Sequence, residues 1–582
     1  MSRNDEIATL LEEFADLLDA KGVEYKPTSY RRAAENIREH PNPIEDLAAE
    51  GEDAVQEIDR VGDAISSKIV EYFETGHIEE LDDLRDELPV DMAGLTSVEG
   101  VGPKTVGTLY DALGITDLDE LEAVARDGKI QEVKGFGAKT EQNILDGIDF
   151  ARESTGRELL GKARPVADDL MASLSENSAV EAVEPAGSMR RWRETVGDID
   201  ILVGSDDPAS VIDHFVDFEL AGDIIEAGEQ KASIRVNAMR VDLRVVDPDE
   251  YGAALQYFTG SKDHNVHLRN IAIDRGLKMN EYGMFDISDV ADADDGPRVG
   301  ERVAGNTEES MYAALDLPLI PPEMREDTGE IAAATDGKLP DLLEEGEIRG
   351  DLHTHTEWSD GDNTIAEMVA AAEERGYEYH VVSDHATGPG MVGGVGVEDD
   401  ELLEQADEVR AAAEDADIAV FHGVEANIDA EGGISVADDV LDQLDVVVAS
   451  PHSALDQDRE TATERLVRAM EHPEVDILGH PTGRLINQRP GLPLDYERIA
   501  EAAVEHDVAL ELNASPYRLD LNGEALKIAV EAGATIVINT DAHRPAELDH
   551  VRYGIHTARR GWVETADVLN ARPVEDLRDF VQ

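Results

Sequence analysis

Three aspartates on two predicted strands are the first residues of this 582-residue chain whose spacing could support chemistry. Asp198 and Asp200 lie two residues apart in the alternating segment VGDIDILV (196–203), so both carboxylates project from one face of a strand. Asp242 lies on the polar side of a second alternating segment, RVDLRVV (240–246). Three carboxylates on neighbouring strands could hold two Mg²⁺ ions about 3.5–4 Å apart, the arrangement used for in-line phosphoryl transfer.

A small turn just before these aspartates could receive phosphate groups. In the segment GSMRRWR, Gly187 and Ser188 form a compact turn and Arg191 adds positive charge. The alternative interpretation is an acidic strand in an acidic protein, and the motif G-D-x-D by itself does not decide between the two.

A second group of chemically capable residues lies at the ends of short apolar segments between residues 351 and 543. A single histidine at a strand end is usually structural, but nine ligand-type residues in succession indicate a metal centre. Imidazole and carboxylate together suit Zn²⁺, Mn²⁺ or iron. The nine residues are His353, His355, Asp360, His385, Glu425, His452, His480, Asp541 and His543.

A glycine-rich repeat near the N-terminus has the form G-h-G-x-K-T, where h is apolar. It occurs at 97–109 and 132–145, 35 residues apart, with a degenerate third copy at 58–73. Such a turn between two helices presents backbone N–H groups that suit a phosphate, although glycine could simply permit close helix packing. Three copies favour contact with a DNA backbone. The residues proposed for that contact are Gly100, Gly102, Lys104, Gly135, Gly137 and Lys139.

These groups must be positioned by several kinds of element. Residues 1 to about 150 show helical periodicity in short pieces, and residues 151–317 mix helices with alternating strands. A stretch rich in Pro, Glu and Asp at 318–346 is typical of a linker. Beyond it, apolar segments ending in His, Asp or Glu alternate with helices, which predicts a parallel sheet with its polar groups at the carboxyl ends of the strands.

Composition limits what the protein can be. The chain has no Cys and no apolar run of 18 residues, and its polar, acidic start is unlike a signal peptide, so we expect a cytoplasmic protein without disulfides or thiolate metal sites. Asp and Glu total 130 against 50 Lys and Arg, giving a net charge of −80. Such a surface ordinarily disfavours DNA. We interpret it instead as adaptation to a cytoplasm of molar salt, where the Debye length is ~3 Å.

The aspartate motifs resemble the palm of the family X DNA polymerases, the relatives of DNA polymerase beta. The resemblance includes G-S-x-R-R, G-D-I-D and V-D-L-R in the same order, and the segment YFTGSKDHNVHLRNIAIDRGLKMNEYGMF (257–285), which looks like the nucleotide-binding segment of that family. It implies that Asp198, Asp200 and Asp242 bind the catalytic metal ions. Asp242 would also be the base near the primer 3′-hydroxyl.

The same resemblance implies the nucleotide contacts. Ser188 and Arg191 would hold the triphosphate of the incoming dNTP, and the Tyr257–Phe258 backbone would act against a ribose 2′-hydroxyl. The remaining implied residues are Gly260 at the sugar and base, Asn265 at the base edge, Arg269 on the template side, and Lys262. Lys262 departs from the animal enzymes, which place Asp there, and it could be a plain surface lysine.

Lys68, in the segment GDAISSKIVEYF, occupies the offset at which the lyase domain of that family keeps its Schiff-base lysine. That chemistry requires an amine of lowered pKa beside a 5′-deoxyribose phosphate. Ala64 stands where animal enzymes have another basic residue, and Asp63 is acidic. Lys68 is therefore either the nucleophile of a 5′-deoxyribose-phosphate lyase or a simple contact to a 5′-phosphate.

The nine ligand-type residues resemble the polymerase-and-histidinol-phosphatase (PHP) domain, a distorted seven-stranded β/α barrel with a trinuclear metal centre. In family X polymerases of the bacterial type this domain follows the palm as a Mn²⁺-stimulated 3′–5′ exonuclease, with 3′-phosphatase or abasic-site cleavage also reported. Arg484 and Arg518 are candidates for gripping the substrate phosphate.

The resemblances define the predicted organisation, a multidomain chain of all-α helix-hairpin-helix modules, an α+β nucleotidyltransferase palm and a C-terminal distorted (β/α)7 barrel. The predicted domains are a lyase-type or 5′-phosphate-binding domain (1–90), a tandem helix-hairpin-helix module (91–150), the palm (151–247), a nucleotide-binding subdomain (248–317), a linker (318–346) and the PHP domain (347–575).

We therefore expect a monomeric repair enzyme that fills short DNA gaps from dNTPs, using Mg²⁺, and processes 3′ ends with Mn²⁺ or Zn²⁺. Two other functions are weighed against it. One is a phosphoesterase of small metabolites, against which the helix-hairpin-helix repeats and the aspartate triad argue. The other is a DNA-binding scaffold with inactive sites, against which the intact ligand sets argue.

Overall fold

A computed structural model describes residues 3–23, 26–38, 44–56, 58, 60–98, 101–154, 157–237, 239–292, 295–389 and 395–581. The chain divides into two compact units. The first comprises residues 1–156 with 487–490, and the second comprises 157–486 with 491–582. Within the described ranges, no helix is both long enough and apolar enough to cross a membrane.

The first unit is helical, as the periodicity predicts. Apolar side chains at helical spacing form one core, in which Leu11 and Phe14 of the first helix are fully buried. The helices are α1 (Arg3–Ala20), α2 (Lys26–Arg38), α3 (Ile44–Glu50), α4 (Glu52–Val55), α5 (Asp63–Thr75), α6 (Glu79–Glu87), α7 (Met92–Thr96), α8 (Pro103–Leu113), α9 (Leu118–Arg126) and α10 (Ala138–Ser154), with a 3₁₀ turn at Ile130–Glu132.

The second unit begins with a five-stranded sheet. Its strand order is β2-β4-β7-β6-β5, and β4 and β7 are parallel neighbours. Ile199 and Ile201 of β4 point into the core, so Asp200 between them faces the opposite side. The elements are β1 (Glu158–Leu159), α11 (Leu160–Ser175), β2 (Ala182–Pro185), α12 (Gly187–Arg190), β3 (Thr195–Val196), β4 (Ile199–Gly204), α13 (Pro208–Val216), β5 (Ile224–Ala227), β6 (Lys231–Val236) and β7 (Met239–Val246).

A small subdomain follows. Its three antiparallel strands have the order β10-β9-β8, and its helices enclose a separate core around Met311 and Tyr312. The elements are α14 (Tyr251–Thr259), α15 (Lys262–Asp274), β8 (Leu277–Asn280), β9 (Gly283–Asp286), β10 (Glu301–Ala304), α16 (Glu308–Ala313) and α17 (Glu330–Asp336), with 3₁₀ turns at Pro248–Glu250, Pro322–Met324 and Glu345–Glu347.

The segment 318–346, predicted as a linker, is folded. It contains α17, and its buried side chains Ile320, Met324 and Ile331 belong to the core of the subdomain. Leu343 joins the core of the C-terminal domain instead. Composition misled the prediction because a few apolar side chains between acidic residues are enough to pack this segment against both neighbours.

Seven parallel strands form the C-terminal sheet, in the order of the sequence from β11 to β17. The first and last strands approach each other beyond their ends, where the N–H of Asp541 donates to the carbonyl of His353 (3.0 Å) and the N–H of His355 donates to that of Ala542 (2.9 Å). The sheet is therefore a nearly closed barrel, as predicted. The short strands are rich in Val and Ile and buried on both faces, which is typical of parallel sheets.

Helices cover the outer face of this barrel. Its elements are β11 (Gly350–Asp351), α18 (Ile365–Glu374), β12 (Tyr379–Val382), α19 (Asp399–Asp415), β13 (Ala419–Asn427), α20 (Asp438–Leu441), β14 (Val446–Ser450), α21 (Arg459–Met470), β15 (Ile477–Leu478), α22 (Tyr496–His506), β16 (Ala509–Asn513), α23 (Gly523–Ala532), β17 (Ile536–Asn539), α24 (Val551–Arg560) and α25 (Val574–Phe580), with 3₁₀ turns at Pro545–His550, Thr565–Asp567 and Leu569–Ala571.

Candidate functional site

The three predicted aspartates meet at one edge of the five-stranded sheet. Asp200 and Asp242 are register partners on the parallel strands β4 and β7, and Asp198 lies immediately before β4. One oxygen of each carboxylate lies within 4.8 Å of the others. The alternation seen in the sequence thus places three carboxylates where they could share metal ions.

The electrostatics of this carboxylate triad are unfavourable without cations. Burial and the neighbouring charges of Asp198 and Asp242 together raise the pKa of Asp200 to about 6. Arg240 donates its Nε–H to both oxygens of Asp242 (2.9 Å each), and the hydroxyl of Ser233 donates to the same carboxylate. Sequence analysis missed Ser233 and Arg240, although both lie on the strands next to the triad.

A cleft of about 190 Å³ opens beside the triad. It carries both charge signs, because it is lined by Lys231, Arg240 and Arg244 together with Asp200, Asp242 and Glu226. The guanidinium of Arg244 also lies 4.5 Å from the centre of the Phe258 ring. A mixed cleft of this kind suits a ligand that carries both phosphate and metal ions.

The predicted phosphate turn lies against the triad. Gly187 has φ +58°, and a Cβ atom at this position would lie 2.6 Å from Oδ2 of Asp200, so the turn requires glycine. Ser188 follows in the short helix α12. Arg191 ends that helix, and its guanidinium donates to Oε1 of Glu326 (3.0 Å) and to the carbonyl of Thr259 (2.6 Å).

The predicted sugar and base contacts are held by an amide network. Asn265 donates to the carbonyls of Tyr257 (2.7 Å) and Gly260 (3.2 Å) and accepts from the amide of Gln256 (2.8 Å). Its side chain therefore organises the turn between α14 and α15. Tyr257 and Phe258 pack edge to face, whereas Lys262 and Arg269 are exposed on α15.

The nine predicted metal ligands meet at the carboxyl end of the barrel. They follow or end strands β11, β12, β13, β14, β15 and β17, as the strand-end pattern predicts. Three overlapping groups have ligand atoms within 4.8 Å of one another. The groups are His355, Asp360, His385 and His543; His353, His355 and Glu425; and His385, Glu425 and His452.

Glu425 is the centre of this histidine-carboxylate cluster. Its Oε1 lies 2.9 Å from Nε2 of His480, and its Oε2 lies 2.5 Å from Nδ1 of His385. Asp541 is a second carboxylate of the cluster that contacts histidine, and its Oδ1 lies 2.9 Å from Nε2 of His355. Every one of the nine predicted ligands is thus in contact with another member.

The cluster fits cations. Nδ1 of His355 and Nδ1 of His480 are buried without a hydrogen-bond partner beside the carboxylates of the cluster, which is costly for polar atoms unless another ligand satisfies them. Their donor set of imidazole and carboxylate suits Zn²⁺ or Mn²⁺. The described residues therefore contain two candidate metal sites, one in the palm and one in the barrel.

Charge separation within the cluster is strong. Burial and the neighbouring His385 and His543 lower the pKa of His355 to about 3. Burial alone would raise the pKa of Glu425, but His385, His452 and His353 together hold it well below its usual range. Glu425 is therefore an anion at neutral pH, ready to bind cations.

Several supporting residues were not predicted. Glu511 on β16 accepts from Nδ1 of His353 (2.8 Å), from the amide of Asn539 and from the N–H of His480. The amide oxygen of Asn427 lies 2.7 Å from Nδ1 of His452. Such partners fix the orientation of a ligating imidazole. The position of Glu511 near a strand end was the one signal in the sequence.

The two arginines proposed as phosphate ligands have different surroundings. Nε of Arg518 lies 3.6 Å from Oδ2 of Asp541, at the edge of the cluster. Arg484 donates to the carbonyls of Arg518 (2.7 Å) and Leu519 (2.6 Å) and to Glu194 of the palm (2.8 Å). Its guanidinium is therefore engaged between two domains.

Each glycine-rich repeat of the first unit has a glycine directly before a helix. Gly62 and Gly102 precede α5 and α8, and Gly137 precedes α10. A Cβ atom at any of these three positions would meet nothing within 4 Å. Gly135 has φ +103° and needs glycine for its backbone, while Gly100 lies outside the described residues.

The lysines near these turns differ in their contacts. Lys104 is 77% exposed, with Nζ 3.9 Å from Asp19, and Lys139 lies in the first turn of α10. Lys68 lies on α5 with Nζ 2.6 Å from Glu80. Burial alone would lower the pKa of Lys68, but Glu80 and Tyr30 outweigh it and raise the pKa.

Four family descriptions match this chain. They are a helix-hairpin-helix domain at 2–78, a SAM-like helix-hairpin-helix tandem at 92–149, the DNA polymerase beta thumb at 254–326 and the PHP domain at 351–515. The chain belongs to the family X DNA polymerases that carry a PHP domain.

A full-length relative shows this membership. The DNA polymerase/3′-5′ exonuclease PolX of Bacillus subtilis (strain 168) is 36% identical over 582 residues, covering 99% of both chains. Probable phosphatases of Shewanella sp. (strain MR-4) and of Caldanaerobacter subterraneus are 34% and 35% identical. Each of these matches covers 33% of this chain and 75% of the relative.

Proposed function

We propose that the protein is a DNA repair polymerase that fills short gaps from dNTPs and processes 3′ ends with its PHP domain. One observation carries this proposal. Two complete ligand clusters, a carboxylate triad in the palm and a histidine-carboxylate cluster in the barrel, lie in one chain and share no residue. The full-length similarity to PolX supports both activities.

In the palm, Asp198, Asp200 and Asp242 would hold two Mg²⁺ ions. Such ions, when bound, neutralise the charge that develops on the transferred phosphate. Asp242 would accept the proton of the primer 3′-hydroxyl, and for this it must exchange its bond with Arg240 for one with the primer. The pKa of Asp200 is raised first by burial and then by repulsion from Asp198 and Asp242, and bound cations would offset both effects.

The incoming dNTP would lie between the phosphate turn and α14. Ser188 and Arg191 would bind the triphosphate, and the backbone at Tyr257 and Phe258 would exclude a ribose 2′-hydroxyl. Asn265 supports this by holding the turn at Gly260, and its contact with the base edge would need one of its present bonds to break. We also propose that Lys262 and Arg269, exposed on α15, contact the nucleotide and the template strand.

In the barrel, the nine His, Asp and Glu residues would bind up to three Mn²⁺ or Zn²⁺ ions. Their chemistry is the activation of water and the clamping of a phosphate diester. Arg518, beside Asp541, is well placed to bind the phosphate at the 3′ end. Arg484 would have to release bonds to two carbonyls and to Glu194 before it could bind a phosphate.

The helix-hairpin-helix units would bind the DNA backbone. Gly62, Gly102 and Gly137 have open space where a side chain would stand, so packing within the chain does not explain glycine there. Binding of a phosphate to the backbone N–H groups would explain glycine at these positions, because a phosphate needs this open space. Gly135, Lys104 and Lys139 would contribute to the same contact, and for Gly100 the contact stays a prediction from the sequence.

We propose that Lys68 binds a 5′-phosphate and does not act as a lyase nucleophile. Its raised pKa and its ion pair with Glu80 oppose the neutral amine that a Schiff base requires. Borohydride should therefore fail to trap the protein on DNA bearing a 5′-deoxyribose phosphate. Trapping that is lost in Lys68→Ala, and retained in the control Lys21→Ala, would contradict this proposal.

We further propose that the protein works as a monomer in molar salt. Each cluster draws its ligands from a single chain, and the net charge of −80 needs screening.

The proposed function is tested with a labelled one-nucleotide-gapped duplex in high-salt buffer. With Mg²⁺ and dNTP the primer should lengthen by one nucleotide, and with Mn²⁺ and no dNTP it should shorten from its 3′ end. A protein that does neither, while folded, would refute the proposal.

A second activity of the barrel is favoured by its similarity to the probable phosphatases. A primer ending in a 3′-phosphate distinguishes the two activities, because a phosphatase converts it to a 3′-hydroxyl without shortening it. Release of inorganic phosphate would identify that activity.

A further inference from the structure

The segment 187–194 of the palm contacts both the carboxylate triad and the barrel. Its first residue, Gly187, lies against Asp200 of the carboxylate triad. Its last residue, Glu194, is bound by Arg484 of the barrel at 2.8 Å. Between them, the Trp192 ring stacks on His556 of α24, with the ring centres 3.7 Å apart.

Helix α24 of the barrel ends on this segment. Arg560, its last residue, donates to the carbonyl of Arg191 (2.8 Å) and lies 3.3 Å from Oε1 of Glu326. That same Glu326 oxygen accepts from Nε of Arg191. Arg560 therefore touches both the peptide of Arg191 and the carboxylate that fixes its guanidinium.

The backbone needs this support. The Arg191 carbonyl belongs to the C-terminus of α12, where carbonyls lack partners within the helix. Trp192, the next residue, has φ +51°, a conformation that a non-glycine residue keeps only when its surroundings hold it. Arg560 supplies a hydrogen bond to the peptide that joins the two.

We infer that Arg560 of the PHP domain is a positioning residue for nucleotidyl transfer, because it holds Arg191 ready to bind the triphosphate of the incoming dNTP. This inference rests on the proposed function. Loss of Arg560 has two consequences. The carbonyl of Arg191 loses its hydrogen-bond donor, and Glu326 loses the positive charge of Arg560 and therefore binds the Arg191 guanidinium more tightly. Both weaken dNTP binding.

The neighbouring Arg559 provides a matched control. Its side chain is 19% exposed against 16% for Arg560, and both belong to the last turn of α24. Arg559 donates to Glu323 and to the carbonyl of Leu343. It therefore ties the same domains together through contacts that do not include Arg191 or Glu326.

The test is single-nucleotide gap filling at varied dNTP concentration, with the full-length protein in high-salt buffer with Mg²⁺. In Arg560→Met the KM for dNTP should rise about tenfold while kcat changes less than about threefold, the signature of lost uniform binding. Arg559→Met should leave the KM within about twofold. In an Arg191→Met background, Arg560→Met should add nothing further, because both act through one side chain.

The 3′ processing of the same samples, measured with Mn²⁺ and no dNTP, should be unchanged. An unaltered KM in Arg560→Met, an equal rise in Arg559→Met, or additive effects in the double variant would overturn the inference. If Arg560→Met does not fold, as judged by circular dichroism, Arg560→Lys keeps the test decisive, because one ammonium cannot serve both acceptors and the KM should still rise. Wild-type protein without extension would refute the proposed function instead.

Discussion

The palm and the barrel solve the same electrostatic problem in different ways. Both gather carboxylates that repel one another, but the palm uses three, the first of them exposed, and the barrel buries Glu425 completely. The barrel surrounds its carboxylates with histidines, whereas in the palm Arg240 and Ser233 donate hydrogen bonds to Asp242.

This difference predicts how each site handles metal ions. The palm triad offers oxygen only and lies beside an open cleft, which suits Mg²⁺ that arrives with each nucleotide. The barrel offers imidazole as well, and its ligands are held by partners such as Glu511, which suits ions that stay bound.

The largest difference between the palm and the barrel should follow from removing one candidate ligand from each site. Asp242→Ala should reduce extension more than about 100-fold and leave 3′ processing intact, because loss of a direct ligand exceeds the effect of a supporting partner. His353→Ala should do the reverse. Primer gels measure both activities, and loss of both in one folded variant would contradict separate sites.

Metal retention should separate the sites next. After gel filtration without chelator, elemental analysis should find at least one transition-metal ion per chain, retained in Asp200→Ala and lost in His452→Ala. Chelation followed by Mg²⁺ alone should restore extension but less than about a tenth of the 3′ processing. Metal that is lost in Asp200→Ala and retained in His452→Ala would contradict this assignment.

Glu308 is a buried carboxylate of a different kind, because two arginines neutralise it instead of histidines or metal ions. Burial alone would raise the pKa of Glu308, but Arg325 and Arg190 lower it from 4.5 to about 2, which corresponds to about 3 kcal/mol of stability. A depressed carboxyl pKa stabilises the fold above pH 4.5, and the effect is lost as pH falls toward 2. Thermal melts of Glu308→Gln and wild type should differ most at pH 6–7, and the difference should shrink as the pH falls from 4.5 toward 2; a difference that stays constant over this range would refute this.

Salt should affect the whole surface. The unfolding midpoint should climb as KCl rises from tens of millimolar to molar, since the Debye length falls from ~30 Å to ~3 Å. With 13 lysines in the chain, few phosphates are neutralised, so the logarithmic salt slope of DNA binding should be shallower than about −3. Melts and fluorescence anisotropy across a KCl series measure these effects, and equal stability in dilute buffer would contradict the halophilic interpretation.

Much of the site could be predicted because chemistry follows local pattern. Period-two alternation predicted that Asp198 and Asp200 lie side by side, and the strand-end pattern predicted the nine barrel residues that the fold brings into contact; that they bind metal stays a prediction. Partners such as Glu511, which lies 158 residues from His353 in sequence, depend on tertiary pairing that no local pattern encodes. The same limit applies to Arg484, whose residue type suits a phosphate but whose surroundings direct it to Glu194.

The stack of Trp192 on His556 also gives the protein an optical signature. The Trp192 indole is in face-to-face contact with an imidazole and has the Arg164 guanidinium 4.4 Å from its ring centre, so we expect these neighbours to quench its emission. Trp192 is one of three tryptophans in the chain. Separation of palm and barrel should therefore increase the total tryptophan emission by an amount that can be measured. The junction between the two domains thus reports its own integrity without a label.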